Sequence, residues 1–220
     1  LFQRSLEEET DGKLSDALSH AQRANNLAPD FVPAAIRTAQ LLQSAGKRRK
    51  AAAVIEEIWV SNPHPHLADL MGELASGAGP KEKMRTIERL AGYNKDHEES
   101  HIAIAKAALS AGMWQEAREH LAAAAQSHPS ARVCRYMAEL EEAERNDIDA
   151  SREWLRRASL ADPDSAWLCK DCGNAVAEWD PVCSQCEKFD TLEWKIPPRV
   201  TRIDDEITSV SPSEKSEEIM

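Results

Sequence analysis

Apolar and charged residues interleave along most of the chain with the spacing of amphipathic helices. Alanine is abundant and aromatic residues make up only 5% of the chain, which also favours an all-α body. The pattern has a longer period as well, because a small turn residue and a proline each recur after 34, 66 and 34 residues. These positions are Gly12, Gly46, Gly112 and Asn146 for the turn residue, and Pro29, Pro63, Pro129 and Pro163 for the proline.

A period of 34 residues, with a small residue between two helices and proline after the second, is typical of the tetratricopeptide repeat. A small side chain also recurs where the two helices must approach closely, at Ala17, Ala51, Ala117 and Ser151. Residues 1–163 are therefore predicted to form a solenoid, with an irregular third repeat. The predicted helices are Leu14–Leu27, Val32–Ala45, Arg48–Ser61, His66–Ser76, Lys81–Ala91, Glu98–Ser110, Trp114–Gln126, Ala131–Arg145 and Ile148–Leu160.

Four cysteines follow the repeats in a C-x2-C, ten residues, C-x2-C arrangement: Cys169, Cys172, Cys183 and Cys186. Two such turns facing each other complete a tetrahedral site of four thiolates, which suits Zn²⁺ or Fe. Two disulfides or four unconnected thiols are the alternatives, but the single further cysteine, Cys134, and the lack of a secretory signal favour a reducing compartment, where paired cysteines more often bind metal. Because protein fills all four positions, the predicted metal site is structural rather than catalytic.

Residues 164–198 are predicted to form a small zinc-ribbon or rubredoxin-like module. About 25 residues bury too little apolar surface to fold unaided, whereas a structural zinc ion contributes about 10–16 kcal/mol. Gly173 suits a positive φ after the first cysteine pair, and Glu187 stands at the equivalent place in the second. We expect the module to cap the end of the repeat array, with Trp154, Trp167 or Trp179 packed between them; the alternative is a flexible tether.

The net charge of −11 argues against DNA or RNA as a general partner, because phosphate binding requires a basic surface. No run of 18 apolar residues and no signal-peptide pattern occurs. The chain begins at Leu1 rather than Met, which leaves room for a preceding membrane anchor. Residues 199–220 are polar, acidic and without periodicity, so disorder is predicted there.

Several histidines could carry chemistry. His97 and His101 fit the HExxH pattern of zinc proteases, with Glu98 as the base, but no convincing third ligand follows and Glu119 is the nearest candidate. The sequence also contains no phosphate-binding glycine loop, no GxGxxG and no GxSxG. The chain is therefore predicted not to be an enzyme.

Three further features have both a structural and a functional interpretation. His64 and His66 share a turn and could bind metal or haem, although surface histidines usually do neither. The basic cluster at 46–50 is most simply a solvated turn, and the alternative is contact with anionic lipid or an acidic partner. Cys134 is expected to be a small core residue.

The inner face of such a solenoid, lined by the first helix of each repeat, is the usual surface for protein partners. The residues predicted to lie there are mixed in sign, so they indicate no particular class of peptide. These residues are Gln40, Gln43, Glu73, Lys106, Tyr136 and Glu144.

The stretches 136–144 (YMAELEEAE) and 152–155 (REWL), together with Trp179, 181–183 (PVC) and 189–194 (FDTLEW), resemble the HemY family of proteobacterial inner-membrane proteins, especially its alphaproteobacterial branch. The resemblance covers the chain except for its acidic tail. It implies an N-terminal pair of membrane helices, a repeat body on the cytoplasmic side of the inner membrane, and an association with haem or porphyrin metabolism.

The order of repeats followed by CxxC pairs is also similar to that of lipopolysaccharide assembly protein B, whose rubredoxin-type module packs on its repeats. The leading hypothesis is a non-enzymatic scaffold at the inner membrane that binds partner proteins. The alternatives are a regulatory adaptor for a membrane protease or an envelope-biosynthesis complex, and a haem carrier that uses His64, His66, His97 or His101.

Overall fold

The computed structural model describes residues 1–75, 77, 79–125 and 129–198. The predicted disordered tail at 199–220 lies outside these residues. Within them, ten α-helices form five helix–turn–helix pairs. The helices are α1 (Phe2–Thr10), α2 (Leu14–Leu27), α3 (Val32–Ser44), α4 (Arg48–Trp59), α5 (Pro65–Leu74), α6 (Pro80–Ala91), α7 (Glu98–Ala111), α8 (Trp114–Ala125), α9 (Ala131–Arg145) and α10 (Ile148–Leu160).

The pairs stack in chain order. Each second helix contacts the first helix of the next pair, and the first helices also contact one another, α3 with α5, α5 with α7 and α7 with α9. The first helices therefore form one continuous surface, called the inner face below. The all-α solenoid of tetratricopeptide type that the period predicts is confirmed.

The turns between paired helices explain why the small residues recur. Gly12, Gly46 and Gly112 have φ values of 76°, 73° and 70°, and Asn146 has a φ of 54°. Glycine and asparagine tolerate this left-handed conformation, whereas other side chains clash with the backbone there. In the third pair, where the sequence predicts an irregular turn, Gly77 has a φ of 94°.

The recurring small residues lie at the contact between paired helices. Ala17, Ala51 and Ala117 are 0% exposed, and Ser151 is 4% exposed. A larger side chain would force the paired helices apart, because packed interiors leave no spare volume. The buried Trp59 also keeps its polar atom satisfied, since its Nε1–H donates to the hydroxyl of Ser100 at 3.1 Å.

Residues 166–195 form a small three-stranded antiparallel sheet. Its strands are β1 (Ala166–Cys169), β2 (Ala175–Val176) and β3 (Leu192–Lys195), in the order β2-β1-β3. Trp167 on β1 pairs with Trp194 on β3, so the two indoles project from the same face of the sheet. This part of the chain, residues 164–198, is called the module below.

The module does not cover the last helix, contrary to the capping arrangement that the sequence suggested. Leu155 and Leu160 on α10 remain 49% and 61% exposed. Trp154 stays on α10, where the guanidinium of Arg157 lies 4.6 Å from its ring centroid. The other two tryptophans contact aromatic rings of the first three helix pairs instead, Trp179 with Phe2 and Trp167 with His64. The surface of α10 carries ion pairs such as Glu153 with Arg156.

The connection that leads back to these pairs is held along the start of α9. The backbone N–H of Ala131 donates to the carbonyl of Asp162 at 3.1 Å. The carboxylate of Asp164 accepts from the backbone N–H of Arg132 at 2.7 Å and pairs with the guanidinium of Arg135. The connection is therefore docked on the solenoid rather than a flexible tether.

Candidate metal centre and inner-face groove

Each cysteine pair sits on a tight turn closed by a backbone hydrogen bond. The N–H of Gly173 donates to the carbonyl of Cys169 at 2.9 Å, and the N–H of Glu187 donates to the carbonyl of Cys183 at 2.8 Å. The residues that close the turns have φ values of 74° and 59°, both in the left-handed region. The second turn is more strained, because Glu187 carries a Cβ there.

The four thiol groups converge. Their Sγ atoms all lie within 4.8 Å of one another, and the pairs Cys169–Cys186 and Cys172–Cys183 are each 3.7 Å apart. A tetrahedral ion with Zn–S bonds of about 2.3 Å requires sulfur atoms about 3.8 Å apart. A disulfide requires about 2.05 Å. The geometry therefore fits a four-thiolate ion, and Fe suits it as well as Zn²⁺ does.

The protonation of these thiols also favours a cation. The contact of Cys169 with the hydroxyl of Thr191, at 3.3 Å, is the main cause that lowers the pKa of this thiol to about 6. A hydrogen bond from the Asn174 backbone lowers the pKa of Cys172, but the desolvation of this exposed thiol and its three neighbouring thiols outweigh that effect and raise the pKa to about 12. Four sulfurs this close cannot all ionise without a compensating charge, and a bound divalent ion supplies it.

A buried histidine joins the module to the third helix pair. His64 is 1% exposed, and its ring centroid lies 4.2 Å from that of Trp194 and 5.7 Å from that of Trp167. Its Nδ1 accepts from the backbone N–H of His66 at 3.3 Å and so caps the start of α5. Burial, followed by the nearby charge of His66, lowers the pKa of His64 to about 3, so the ring is neutral at pH 7.

A second aromatic contact joins the module to the first two pairs. The ring of Trp179 packs edge-on against Phe2 and Phe31, with both centroid distances at 4.9 Å. Sequence reasoning did not identify Phe2, Phe31 or the pairing of His64 with the indoles. Only the scarcity of aromatic residues in the repeats could have indicated that these rings have a special role.

Two adjoining cavities form a groove along the inner face. The larger, about 820 Å³, lies between α3, α5, α6 and α7, and the smaller, about 500 Å³, lies between α1, α3, α5 and the module. Asp69 and Glu73 line both cavities. Gly72 forms part of the larger one, and a Cβ added there would meet no atom within 4 Å.

The residues predicted to bind partners divide into two sets. Four of them line the groove: Gln40, Gln43, Glu73 and Lys106. The other two, Tyr136 and Glu144, line neither cavity. Tyr136 is half-buried against the apolar core formed by α6 to α9, and the carboxylate of Glu144 pairs with Arg118 of α8 at 2.5 Å.

The HExxH histidines lie in different surroundings. Nδ1 of His97 caps α7 by accepting from the backbone N–H of Glu99 at 3.1 Å. His101 instead faces His120 on α8, with their Nδ1 atoms 2.9 Å apart. Within the described residues, the only close group of three or more candidate metal ligands is the cysteine site.

The remaining candidates have ordinary surroundings. Cys134 is 0% exposed in the core, as predicted. The basic residues 47–50 are all exposed at the start of α4. No helix in the described ranges has both the length and the apolar character needed to cross a bilayer.

No known family profile matches the chain. Over 188 residues it is 30% identical to the "Probable magnetosome protein Mms48" of Magnetospirillum gryphiswaldense, a match that covers 85% of this chain and 42% of that protein. The chain thus spans less than half the length of this relative.

The solved structures to which the chain is similar have low sequence identity to it. They include TTC0263, a TPR protein of Thermus thermophilus, with 13% identity and a TM-score of 0.46 over 73% of this chain and 89% of that one. MamA of Desulfovibrio magneticus RS-1 has 12% identity and a TM-score of 0.45, over 72% and 90%. YrrB, described as a TPR protein with an unusual peptide-binding site, has 17% identity and a TM-score of 0.43, over 71% and 82%.

Proposed function

We propose that this chain is a non-enzymatic scaffold that binds other proteins along its inner face, with a structural Zn²⁺ or Fe ion in the module. The observation that carries the proposal is the groove formed by the two adjoining cavities. A long, open groove between parallel helices accommodates an extended polypeptide, with many side chains exposed to one partner. The metal ion would contribute to folding, because protein supplies all four of its ligands.

Site-specific crosslinking in intact cells tests this function. A photoreactive residue at Ser110 would lie in the groove, whereas one at the exposed Ala53 of α4 would lie outside it. Partners should crosslink from Ser110 and not from Ala53, and the substitution Gly72→Trp should abolish them by filling the groove. Equal crosslinking from both positions, or products unchanged by Gly72→Trp, would contradict the proposal.

The resemblance to the HemY family supports a more specific setting: the cytoplasmic face of a bacterial inner membrane, reached through an anchor outside this chain, and partners from haem or porphyrin metabolism. The name of the 30%-identical relative suggests a magnetosome assembly as another setting. Identification of the crosslinked partners distinguishes the two. If the crosslinked partners belong to neither setting, the scaffold function stands and both settings are excluded.

A regulatory adaptor is the second candidate, and one observation favours it. The module packs on the first three helix pairs through Trp167, Trp179 and Trp194. The resemblance to lipopolysaccharide assembly protein B implies packing of this kind, between a cysteine module and its repeats. For this function, the crosslinked partner should be a membrane protease or an envelope-biosynthesis enzyme. Its activity should then change when the groove is filled by Gly72→Trp.

A further inference from the structure

The smaller cavity of the groove combines an aromatic wall with an excess of carboxylates. Phe2, Trp167 and Trp179 line it on the apolar side. Its carboxylates come from both partners of the junction, since α5 provides Asp69 and Glu73, and the loop after β2 provides Glu178 and Asp180. The lining also includes Arg37.

The cations of the protein neutralise only part of this charge. Arg37 is 9% exposed and is engaged elsewhere, with the carboxylate of Glu9 at 2.5 Å and the carbonyl of Ser5 at 2.9 Å. Asp69 is paired with Lys106 at 2.5 Å. Within the described part of the chain, neither Glu73 nor Glu178 has a cationic partner in contact.

We infer that this cavity binds an extended segment of another protein that carries lysine or arginine side chains. The inference rests on the proposed function and names the chemistry of its partner. The ammonium or guanidinium group lies between Glu73 of the solenoid and Glu178 of the module, and its stem packs on the indoles. Such a segment contacts both the module and the repeats, so it recognises the assembled junction.

The occupant is not expected to be acidic or apolar. An acidic segment would place like charges beside Glu73 and Glu178, and the chain as a whole carries a net charge of −11. An entirely apolar segment would leave the carboxylates at the rim without a counter-charge. The complementarity therefore selects a basic partner and also steers its approach.

Fluorescence anisotropy with the full chain in its metal-bound form tests the inference. The probe is an acetylated, amidated peptide of alternating alanine and lysine or arginine, and its counterpart carries glutamate at the basic positions. The basic peptide alone should bind. The double variant Glu73→Gln and Glu178→Gln should raise its Kd about tenfold, whereas Glu57→Gln, at an exposed carboxylate of α4, should leave the Kd unchanged.

Several results would overturn the inference. These are equal binding of the two peptides, no effect of the double variant, or equal competition by spermidine, which would show that the site responds to charge alone. Self-association of the wild-type chain but not of the double variant would also overturn the inference, because the occupant of the cavity would then be the basic residues 47–50 of a second copy of this chain. If groove crosslinks from Ser110 persist in any of these cases, the scaffold function stands and only the basic partner is lost.

Discussion

Protonation of His64 should destabilise the folded protein as the pH falls. Its ring is enclosed by Trp167 and Trp194 and already uses Nδ1 to cap α5. Burial lowers its folded-state pKa to about 3, compared with about 6.5 in the unfolded chain. Because the unfolded chain binds the proton more readily, the stabilisation is complete above about pH 6.5 and is lost as the pH falls from there towards 3.

The magnitude follows from these two values. Between about pH 8 and about pH 5.5, the unfolded histidine becomes largely protonated while the folded one stays neutral. Linkage then lowers the free energy of unfolding by about 1.4 kcal/mol. The substitution His64→Asn keeps an acceptor that can cap α5 but cannot titrate, so the variant should lack this part of the pH dependence.

Urea unfolding at the two pH values, followed by far-ultraviolet circular dichroism, measures the difference. His97→Asn is the matched control, because His97 caps α7 in the same way but is exposed. It should keep the full pH dependence of the wild type. The His101–His120 pair is present in all three proteins, so its contribution cancels in the comparison. Metal content must be equal at both pH values.

The reasoning would be refuted if wild type and His64→Asn lost the same free energy between the two pH values. It would also be refuted if His97→Asn behaved like His64→Asn, since the effect would then belong to helix capping rather than to the buried junction. A lower absolute stability of His64→Asn is expected from the lost ring contacts and does not bear on the test.

Three further predictions concern the turns and the metal. Cys172→Ser should abolish stoichiometric Zn²⁺ or Fe, measured by elemental analysis, and helical content should persist; full metal content in the variant would exclude the four-thiolate site. Glu187→Gly should stabilise the second cysteine turn by a few tenths to about 1 kcal/mol, because glycine tolerates the positive φ there. Gly173→Ala should destabilise the first turn by about 1 kcal/mol for the opposite reason. In competition with a chelator, the first variant should therefore hold its metal more tightly than the wild type, and the second less tightly. Gly112→Ala should lower the free energy of unfolding by about 1 kcal/mol in urea titrations, because its φ of 70° is unfavourable for alanine; an unchanged value would show that the turn relaxes.

Nine of the ten described helices could be predicted to within about two residues at each end, because their limits depend on local requirements, whereas α1 was not delimited from the sequence. A left-handed turn needs Gly or Asn, as at Gly46 and Asn146, and close helix contact needs a small side chain, as at Ala51. Such requirements act at single positions and recur with each repeat. The convergence of the four cysteines was equally predictable, since their spacing already places two thiols on each turn.

The position of the module was not predictable in the same way. It depends on contacts such as Phe2 with Trp179, between residues at opposite ends of the chain and without any periodicity. Inner-face positions were only partly predictable, too. The repeat register correctly placed Glu73 beside the groove, but Glu144, at a comparable position, turns its carboxylate towards Arg118 of the neighbouring helix.

Because the module packs back on the first helix pairs, loss of the metal should affect the solenoid far from the cysteines. In an open repeat array each repeat contacts only its neighbours, so an opened end frays without affecting distant repeats. Here the segment after α10 is docked on α9 through Asp164 and reaches Phe2 and Phe31 through Trp179. Each edge-on ring pair contributes about 0.5–1.5 kcal/mol beyond its buried area. Loss of metal should therefore loosen the first three helix pairs, far along the chain from the cysteines, before it affects the fourth.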